Sequence, residues 1–390
     1  MSRHALQLAM AIVQISPEEA LSRLRAGALL IDVREPGEHA AGLPAGALAV
    51  PRGELEATPQ QWIPDPQHEV LLICAGGPRS ERACSALLAQ GYANLYSVSG
   101  GFNRWRAEGL PEHLPAGSED ADFLERYSRH LRLPQVGLEG QRRLAQSTVL
   151  MVGAGGLGSP AAFYLAAAGV GCLRLVDDDV VDRSNLQRQI LHGEADIGKP
   201  KVESAARTLS ALNPRTRIEC VRARVGADNV DAMLEGVDVV LDGADNFPTR
   251  YLLSDACVKL GKTLVYGAVH RFQGQVSVFN AGRRRGTSPC YRCLFPLPPA
   301  PEDAPNCAEA GVLGVLPGVI GLLQATETLK LLLGIGETLD GRLLSFDALS
   351  MRFRESRVTA DANCPVCRPD APFAGYQDMA LQCAAGSGDR

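Results

Sequence analysis

Apolar residues in this chain come in short bursts, and the segments between the bursts are amphipathic. Over residues 14–112 the runs ALLIDV, VLLIC and LYSV alternate with SPEEALSRLRAG and RSERACSALLAQG, whose apolar positions recur at helical spacing. Short apolar runs joined by amphipathic segments predict strands covered by helices. From Phe123 the pattern repeats on a larger scale. STVLMVGAGGLGS, CLRLVDDD, RIECVRARV, DVVLDGAD, TLVYGAV and QVSVF predict strands, with helical stretches such as KPKVESAARTLSALN between them. Both parts are therefore expected to be α/β, the second with a mostly parallel sheet covered on both faces. PEHLPAGSEDAD (111–122), rich in Pro, Gly, Ser and acids, separates them. The expected division is a domain over 1–113, a linker over 114–122, a second domain over 123–370 and a loose tail over 371–390.

Two apolar runs need separate treatment. ALQLAMAIV could pass for a signal core, but it enters QISPEEALSRL with no small-residue cleavage site and predicts the first strand region. AGVLGVLPGVIGLLQATETLKLLLGIG (310–336) is long enough to span a bilayer. Pro317, Gln324, Glu327 and Lys330 within it favour a buried helix instead. A cytoplasmic protein without a membrane partner is expected. The chain's 390 residues, 46% of them hydrophobic and 21% charged, suit two or three globular domains. A net charge of −5 with no long basic run argues against nucleic acid as the partner.

The eleven cysteines, an odd number, include two Cys-x-x-Cys pairs. Without a secretion signal, that pattern suggests metal binding and thiol chemistry rather than disulfide stapling. One cysteine stands apart. In LLICAGGPRSERACSALL (71–88) a predicted strand ends at Cys74 and a helix begins near Arg79. Backbone N–H groups and a helix N-terminus around the sulfur would lower its pKa and stabilise a thiolate or persulfide anion, and Arg79 could hold an anionic sulfur donor. The local pattern alone fits a buried cysteine beneath a turn equally well. Taken with LLIDVREPGEHAAGLPAGALAVP and SGGFNRWRAEGLP, however, the segment resembles a single rhodanese domain from end to end. That resemblance makes Cys74 a persulfide carrier and Arg79 its loop partner. The chain departs from the family at Leu43, Pro44 and Ala45, where His-Ile-Pro is common, and at Ala49, where a polar residue is common.

GAGGLG (153–158) follows an apolar strand and precedes a helix. Gly153, Gly155, Gly156 and Gly158 permit a tight turn and close approach of phosphate to the helix end, and Asp177 ends the next strand, where it can meet ribose hydroxyls. Alone, this fingerprint would make NAD the default ligand and an oxidoreductase the default activity. The following residues suit a different chemistry. DDDVVDRSNLQRQILHGEADIGKPKVESA supplies Arg188, Lys199 and Lys201, and VLDGADN ends another strand in Asp242 and Asp245. Taken singly, each charge fits a solvated surface. Together at strand ends they suit phosphate neutralisation and a Mg²⁺ ion, as nucleotidyl transfer requires.

From RYSRHLRLPQVGLEGQRRL through DDDVVDRSNLQRQ, GKPKVES, DGADN, PCYRC and CPVC, the chain resembles the MoeB/ThiF family, relatives of ubiquitin-activating enzymes, over nearly all of 123–370. The resemblance implies MgATP-dependent adenylation of the C-terminal glycine of a small ubiquitin-like sulfur carrier ending in Gly-Gly. It assigns the glycine loop and Asp177 to the nucleotide, Lys201 to phosphate, and Asp245 to Mg²⁺ and the reacting groups. Arg188 and Arg129 match arginines the family supplies across a homodimer interface. Asp179, Asn185 and Lys199 lie in the same motifs without assigned roles.

CYRC (290–293) and CPVC (364–367) supply Cys290, Cys293, Cys364 and Cys367, the ligand set of a closed structural Zn²⁺ site. Cys307, in EDAPNCAEAGVLG, matches a position where some relatives bond covalently to the activated carrier. Cys84, Cys172, Cys220 and Cys257 fall on apolar faces and are expected to pack, and His130, His192 and His270 show no ligand spacing. The combined expectation is adenylation of a carrier followed by sulfur delivery from Cys74, giving a thiocarboxylate for molybdenum cofactor, thiamine or tRNA thiolation. The sulfur donor is left open between a desulfurase, thiosulfate and mercaptopyruvate. The rivals are an adenylyltransferase with an accessory rhodanese domain, a scaffold that binds the carrier without turnover, and, remotely, an NAD-dependent oxidoreductase.

Overall fold

The structure, a computed structural model, describes residues 12–39, 42–113, 121–298 and 311–376. The chain forms two compact units, Met1–Leu138 and Glu139–Arg390. Cys307 and residues 114–120 lie outside the described residues.

The first unit is built on a five-stranded sheet in the order Val13–Ile15, Leu95–Val98, Val70–Ile73, Leu29–Asp32, Leu48–Ala49, parallel throughout. Its middle strand, VLLI, is buried at every position, as a strand covered on both faces must be. Cores form on both sides. Val33, Leu55, Leu72, Cys84 and Leu87 meet on one face, and Leu30, Leu71, Ile73, Phe102 and Trp105 on the other. Cys74 follows the last residue of the middle strand, at the carboxyl edge where parallel sheets place their sites. Phe123, Leu124 and Tyr127 pack with Leu131 and Leu138 in a small satellite core.

The second unit holds an eight-stranded sheet in the order Arg217–Val221, Cys172–Val176, Thr148–Val152, Val239–Asp242, Thr263–His270, Gln273–Phe279, Arg342–Asp347, Arg352–Arg357. The first five strands are parallel and the last three pair antiparallel. Only Arg271 and Phe272 separate Thr263–His270 from Gln273–Phe279, too few for a crossover, so QVSVF returns as a hairpin with Arg271 at φ +51°. The apolar run near 310–336 forms the helix Val315–Leu333, packed against the helix Gly158–Ala167 and the strand Thr263–His270. Gln324 is buried there and donates from its amide nitrogen to the carbonyls of Asp242 (2.6 Å) and Val265 (3.3 Å). One packing expectation is corrected. Cys84, Cys172 and Cys257 are buried, but Cys220 is exposed, because Arg217–Val221 is the edge strand of the sheet.

Candidate active sites

The Cys74 loop is held mainly by backbone. Residues 74–77 link the strand Val70–Ile73 to the helix Pro78–Ala89, and Gly77 makes the turn at φ +114°. Cys74 is 1% exposed, and its sulfur accepts hydrogen bonds from the Gly77 N–H at 3.1 Å and the Ser80 hydroxyl at 3.5 Å. Burial pushes this thiol up. Hydrogen bonds from the Ser80 side chain and from the Ser80, Gly77 and Gly76 N–H groups outweigh that effect and hold it below the ordinary cysteine value. A second helix, Gly101–Ala107, clamps the loop by donating from Phe102 N–H to the Cys74 carbonyl (2.7 Å) and from Asn103 N–H to the Ala75 carbonyl (3.0 Å). This approach needs glycine at 101, where a Cβ would lie 2.1 Å from the Cys74 carbonyl oxygen.

Arg79 forms a bidentate pair with Glu38, Nη1 to Oε2 at 2.6 Å and Nη2 to Oε1 at 2.8 Å. The segment bearing Glu38 is anchored by a buried Asp32–Arg34 pair, with Nη2 to Oδ2 at 2.6 Å.

These contacts set a pH dependence. The Ser80 proton has three possible acceptors, the Gly77 carbonyl at 2.7 Å, the Ser97 hydroxyl at 2.8 Å and the sulfur at 3.5 Å, and it favours the charged sulfur when it turns toward it. Removing a donor to the thiolate raises its pKa, so Ser80→Ala is expected to move the acid limb of sulfur uptake upward by up to about one pH unit. A pH profile of Cys74 persulfidation checks this.

In the second unit, a cleft of about 460 Å³ opens at the carboxyl ends of the parallel strands. Gly153, Gly155, Gly156, Asp177, Asp179, Arg188, Lys201 and Asp245 all line it. Gly153 sits at φ +95°, with the Gly243 carbonyl 2.6 Å from where its Cβ would be. Gly158 has even less room, 2.0 Å from the Gly153 carbonyl, which lets the helix Gly158–Ala167 start directly under the loop. Both positions exclude side chains, and the open face of the loop is left for phosphate. Asp177 braces the loop by accepting from Ala154 N–H (2.8 Å) on one oxygen and Asp179 N–H (2.9 Å) on the other. Lys201 is buried and paired with the exposed Asp179 carboxylate at 2.7 Å. Arg188 lines the cleft of its own chain and donates to the Ser184 carbonyl at 3.1 Å.

The remaining expected residues lie elsewhere. Asn185 is in the short turn Arg183–Asn185, donating to the Ser184 hydroxyl at 3.4 Å, and is not among the cleft's lining residues. Lys199 pairs with Asp196 at 3.4 Å. Arg129 is exposed in the first unit, in the turn after the helix Ala121–Arg126.

Three buried polar residues, one lining the cleft and two behind it, add to its frame. Gln189 is buried beside Gly155, and its Oε1 has no hydrogen-bond partner among the described residues. His192 is buried and bridges the Ala154 carbonyl (3.0 Å) and the Ser204 hydroxyl (2.9 Å), propping the glycine loop from beneath. Burial holds its pKa below the ordinary histidine value. Asp242 is fully buried, which pushes its carboxyl up to about 6 against the pull of Arg250, 3.9 Å away.

Cys290, Cys293, Cys364 and Cys367 converge, with ligand atoms all within 4.8 Å of one another. Sulfur–sulfur distances of 3.3, 3.6 and 3.9 Å match the edge of about 3.8 Å of a tetrahedron with metal–sulfur bonds near 2.3 Å. The buried Arg292–Asp255 pair (2.9 and 2.8 Å) fixes the short helix Tyr291–Leu294, which carries Cys293 and starts just after Cys290. The quartet is compatible with zinc.

A parallel sheet with a braced glycine loop, a buried lysine and strand-end carboxylates defines a nucleotide-binding α/β enzyme, here joined to a cysteine-loop domain. The chain belongs to the ThiF family, whose model matches residues 127–366, and a model described as Rhodanese-like domain matches residues 16–108. The SAMP-activating enzyme E1 of Haloferax volcanii is 55% identical over 250 residues, 64% of this chain and 91% of its own length. The sulfur carrier protein adenylyltransferase of Thermus thermophilus is 53% identical over 245 residues, covering 63% and 90%. The probable adenylyltransferase/sulfurtransferase MoeZ of Mycobacterium tuberculosis is 45% identical over 277 residues, covering 70% and 71%. Among solved structures, E. coli MccB superposes with a TM-score of 0.56 at 20% identity, covering 65% of this chain and 75% of that one, a likeness of fold alone. ATP is the adenylation substrate of the family.

Proposed function

We propose that this protein uses ATP to adenylate the C-terminal glycine of a small ubiquitin-like sulfur carrier and supplies the sulfur itself from a Cys74 persulfide. The observation that carries the reading is the presence, in one chain, of a preorganised ATP-type cleft and a cysteine whose loop stabilises a sulfur anion. Family membership sets aside the oxidoreductase reading.

In the second unit the glycine loop and Lys201 hold phosphate, and Arg188 adds positive charge beside them. Asp245 is the residue proposed to hold Mg²⁺, which when bound neutralises phosphate charge. The carrier carboxylate attacks the α-phosphate, the bond to pyrophosphate breaks, and a mixed anhydride remains. The outer sulfur of the Cys74 persulfide attacks its acyl carbon and AMP leaves, giving an acyl disulfide. Two equivalents of an external thiol then release the carrier thiocarboxylate and regenerate Cys74. A homodimer, with Arg129 reaching a second copy's cleft, belongs to the proposal, as do a cytoplasmic location and molybdenum cofactor, thiamine or tRNA thiolation as the destination of the sulfur.

The test is carrier-dependent ATP–pyrophosphate exchange. Exchange is expected only with carriers ending in Gly-Gly. Its absence with every such carrier would leave a binding scaffold.

Zn²⁺ is proposed at the cysteine quartet. The fit is to four thiolates with no open position, so the ion would tie the segment at 364–367 to the body of the domain. Elemental analysis is expected to give one zinc per chain. Its removal by a strong chelator is expected to lower the unfolding temperature of this unit by about 10 °C, read in a thermal melt.

A further inference from the structure

We propose that Glu38 determines which sulfur donors can charge Cys74, rejecting anionic oxyacid donors such as thiosulfate and admitting donors whose transferable sulfur is a persulfide. The inference rests on the reading of Cys74 as a sulfur carrier and adds the chemical class of its donor.

The only cationic side chain of residues 74–80 is Arg79, and both of its terminal nitrogens are taken by Glu38 at 2.6 and 2.8 Å. The pair is half-buried, with side-chain exposures of 33% for Arg79 and 20% for Glu38. Glu38 is held from both sides, since its Oε2 also accepts from the Glu35 N–H at 3.1 Å. Burial pushes its carboxyl up, and the Arg79 hydrogen bonds, the Glu35 N–H and the charges of Arg79 and Arg34 together outweigh that and hold it below the usual carboxylate range. Neighbouring cations are also committed, Arg34 to Asp32 and Arg104 to Glu108. Glu81 stands on the other side of the loop, 3.8 Å from where a Gly77 Cβ would be.

An oxyacid donor needs a guanidinium fork for its anionic head. To obtain it here, the donor must displace Glu38, leaving a half-buried carboxylate unpaired beside a second anion. A persulfide needs no such fork. The Cys74 thiolate attacks the terminal sulfur of R–S–SH, a new sulfur–sulfur bond forms, the donor's own sulfur–sulfur bond breaks, and R–S⁻ leaves. The product is Cys74–S–SH, which gives its proton to water. Charge balances, and no oxidant or reductant is consumed.

The experiment compares full-length wild type with Glu38→Gln, which keeps the shape of the pair and removes its negative charge. Donors are thiosulfate and N-acetylcysteamine persulfide, with cyanide as acceptor. In Glu38→Gln the KM for thiosulfate is expected to fall about tenfold with little change in kcat. The thiosulfate-to-persulfide ratio of kcat/KM is expected to rise by a similar factor. An unchanged or higher thiosulfate KM overturns the proposal. A second measurement needs no variant. Millimolar sulfate is expected to leave alkylation of Cys74 in the wild type unaffected, and protection by sulfate overturns the proposal. Intact mass separates the two levels of inference. Failure of persulfide to add the mass of one sulfur atom at Cys74 removes the carrier reading and this one with it. A sulfur adduct with an unchanged donor ratio removes only the role of Glu38.

Discussion

Cys74→Ala is expected to abolish thiocarboxylate formation while the carrier adenylate still accumulates. The substitution deletes the only atom that the loop amides enclose and leaves the second unit's cleft untouched. Among the described residues of this unit, no second thiol is poised to take over. Cys84, on the following helix, is fully buried, and burial with the Glu81 charge pushes its thiol up to about 12, so it holds almost no thiolate at neutral pH. Intact-mass spectrometry of a Gly-Gly-ending carrier, incubated with the variant, MgATP, a sulfur donor and reductant, reads both products at once. Adenylate without thiocarboxylate assigns both activities to one chain. Thiocarboxylate at the wild-type rate would make the rhodanese-like domain an accessory.

Lys201→Ala and Asp245→Ala are expected to lower carrier-dependent pyrophosphate exchange by two to three orders of magnitude, about 3–4 kcal/mol of transition-state stabilisation each. Lys201 is buried, so its charge acts at low local dielectric, and its tie to Asp179 at 2.7 Å holds it at the mouth of the glycine loop. Asp245 is exposed at the cleft, and no core contact is lost with it. Unchanged unfolding temperature with lost exchange distinguishes catalytic loss from unfolding. Exchange within about threefold of wild type in both variants would relocate phosphate handling to Arg188, Arg224 or Arg250, the other cations of the cleft.

What sequence could reveal about these sites follows from how local each feature is. The Cys74 loop, the glycine loop and each Cys-x-x-Cys pair are written in consecutive residues, because a turn between a strand and a helix is decided by its own glycines and prolines. The partner of Arg79 was not legible. Glu38 lies 41 residues earlier, and only the parallel pairing of Leu29–Asp32 with Val70–Ile73 brings the two segments to one edge. Gln324 likewise meets the Asp242 carbonyl across 82 residues, a partner that only the tertiary packing of its helix selects. The last strand, Arg352–Arg357, is not legible for another reason. In RFRESR every residue is exposed, so the edge strand has no buried alternation for a pattern search to find. The exposure of Cys220 is not legible for a related reason, since an apolar neighbourhood in sequence does not tell a central strand from an edge.

The cradle of main-chain donors around Cys74 also bears on how this domain tolerates sequence drift. Apart from the Ser80 hydroxyl, the groups that hold the sulfur's charge are N–H groups, which every residue except proline possesses. Substitutions at Ala75 or Gly76 that keep the path of the loop therefore leave the electrostatics of the sulfur intact. Side chains there are free to diversify toward new partners, while the property that makes the cysteine useful is inherited through backbone shape.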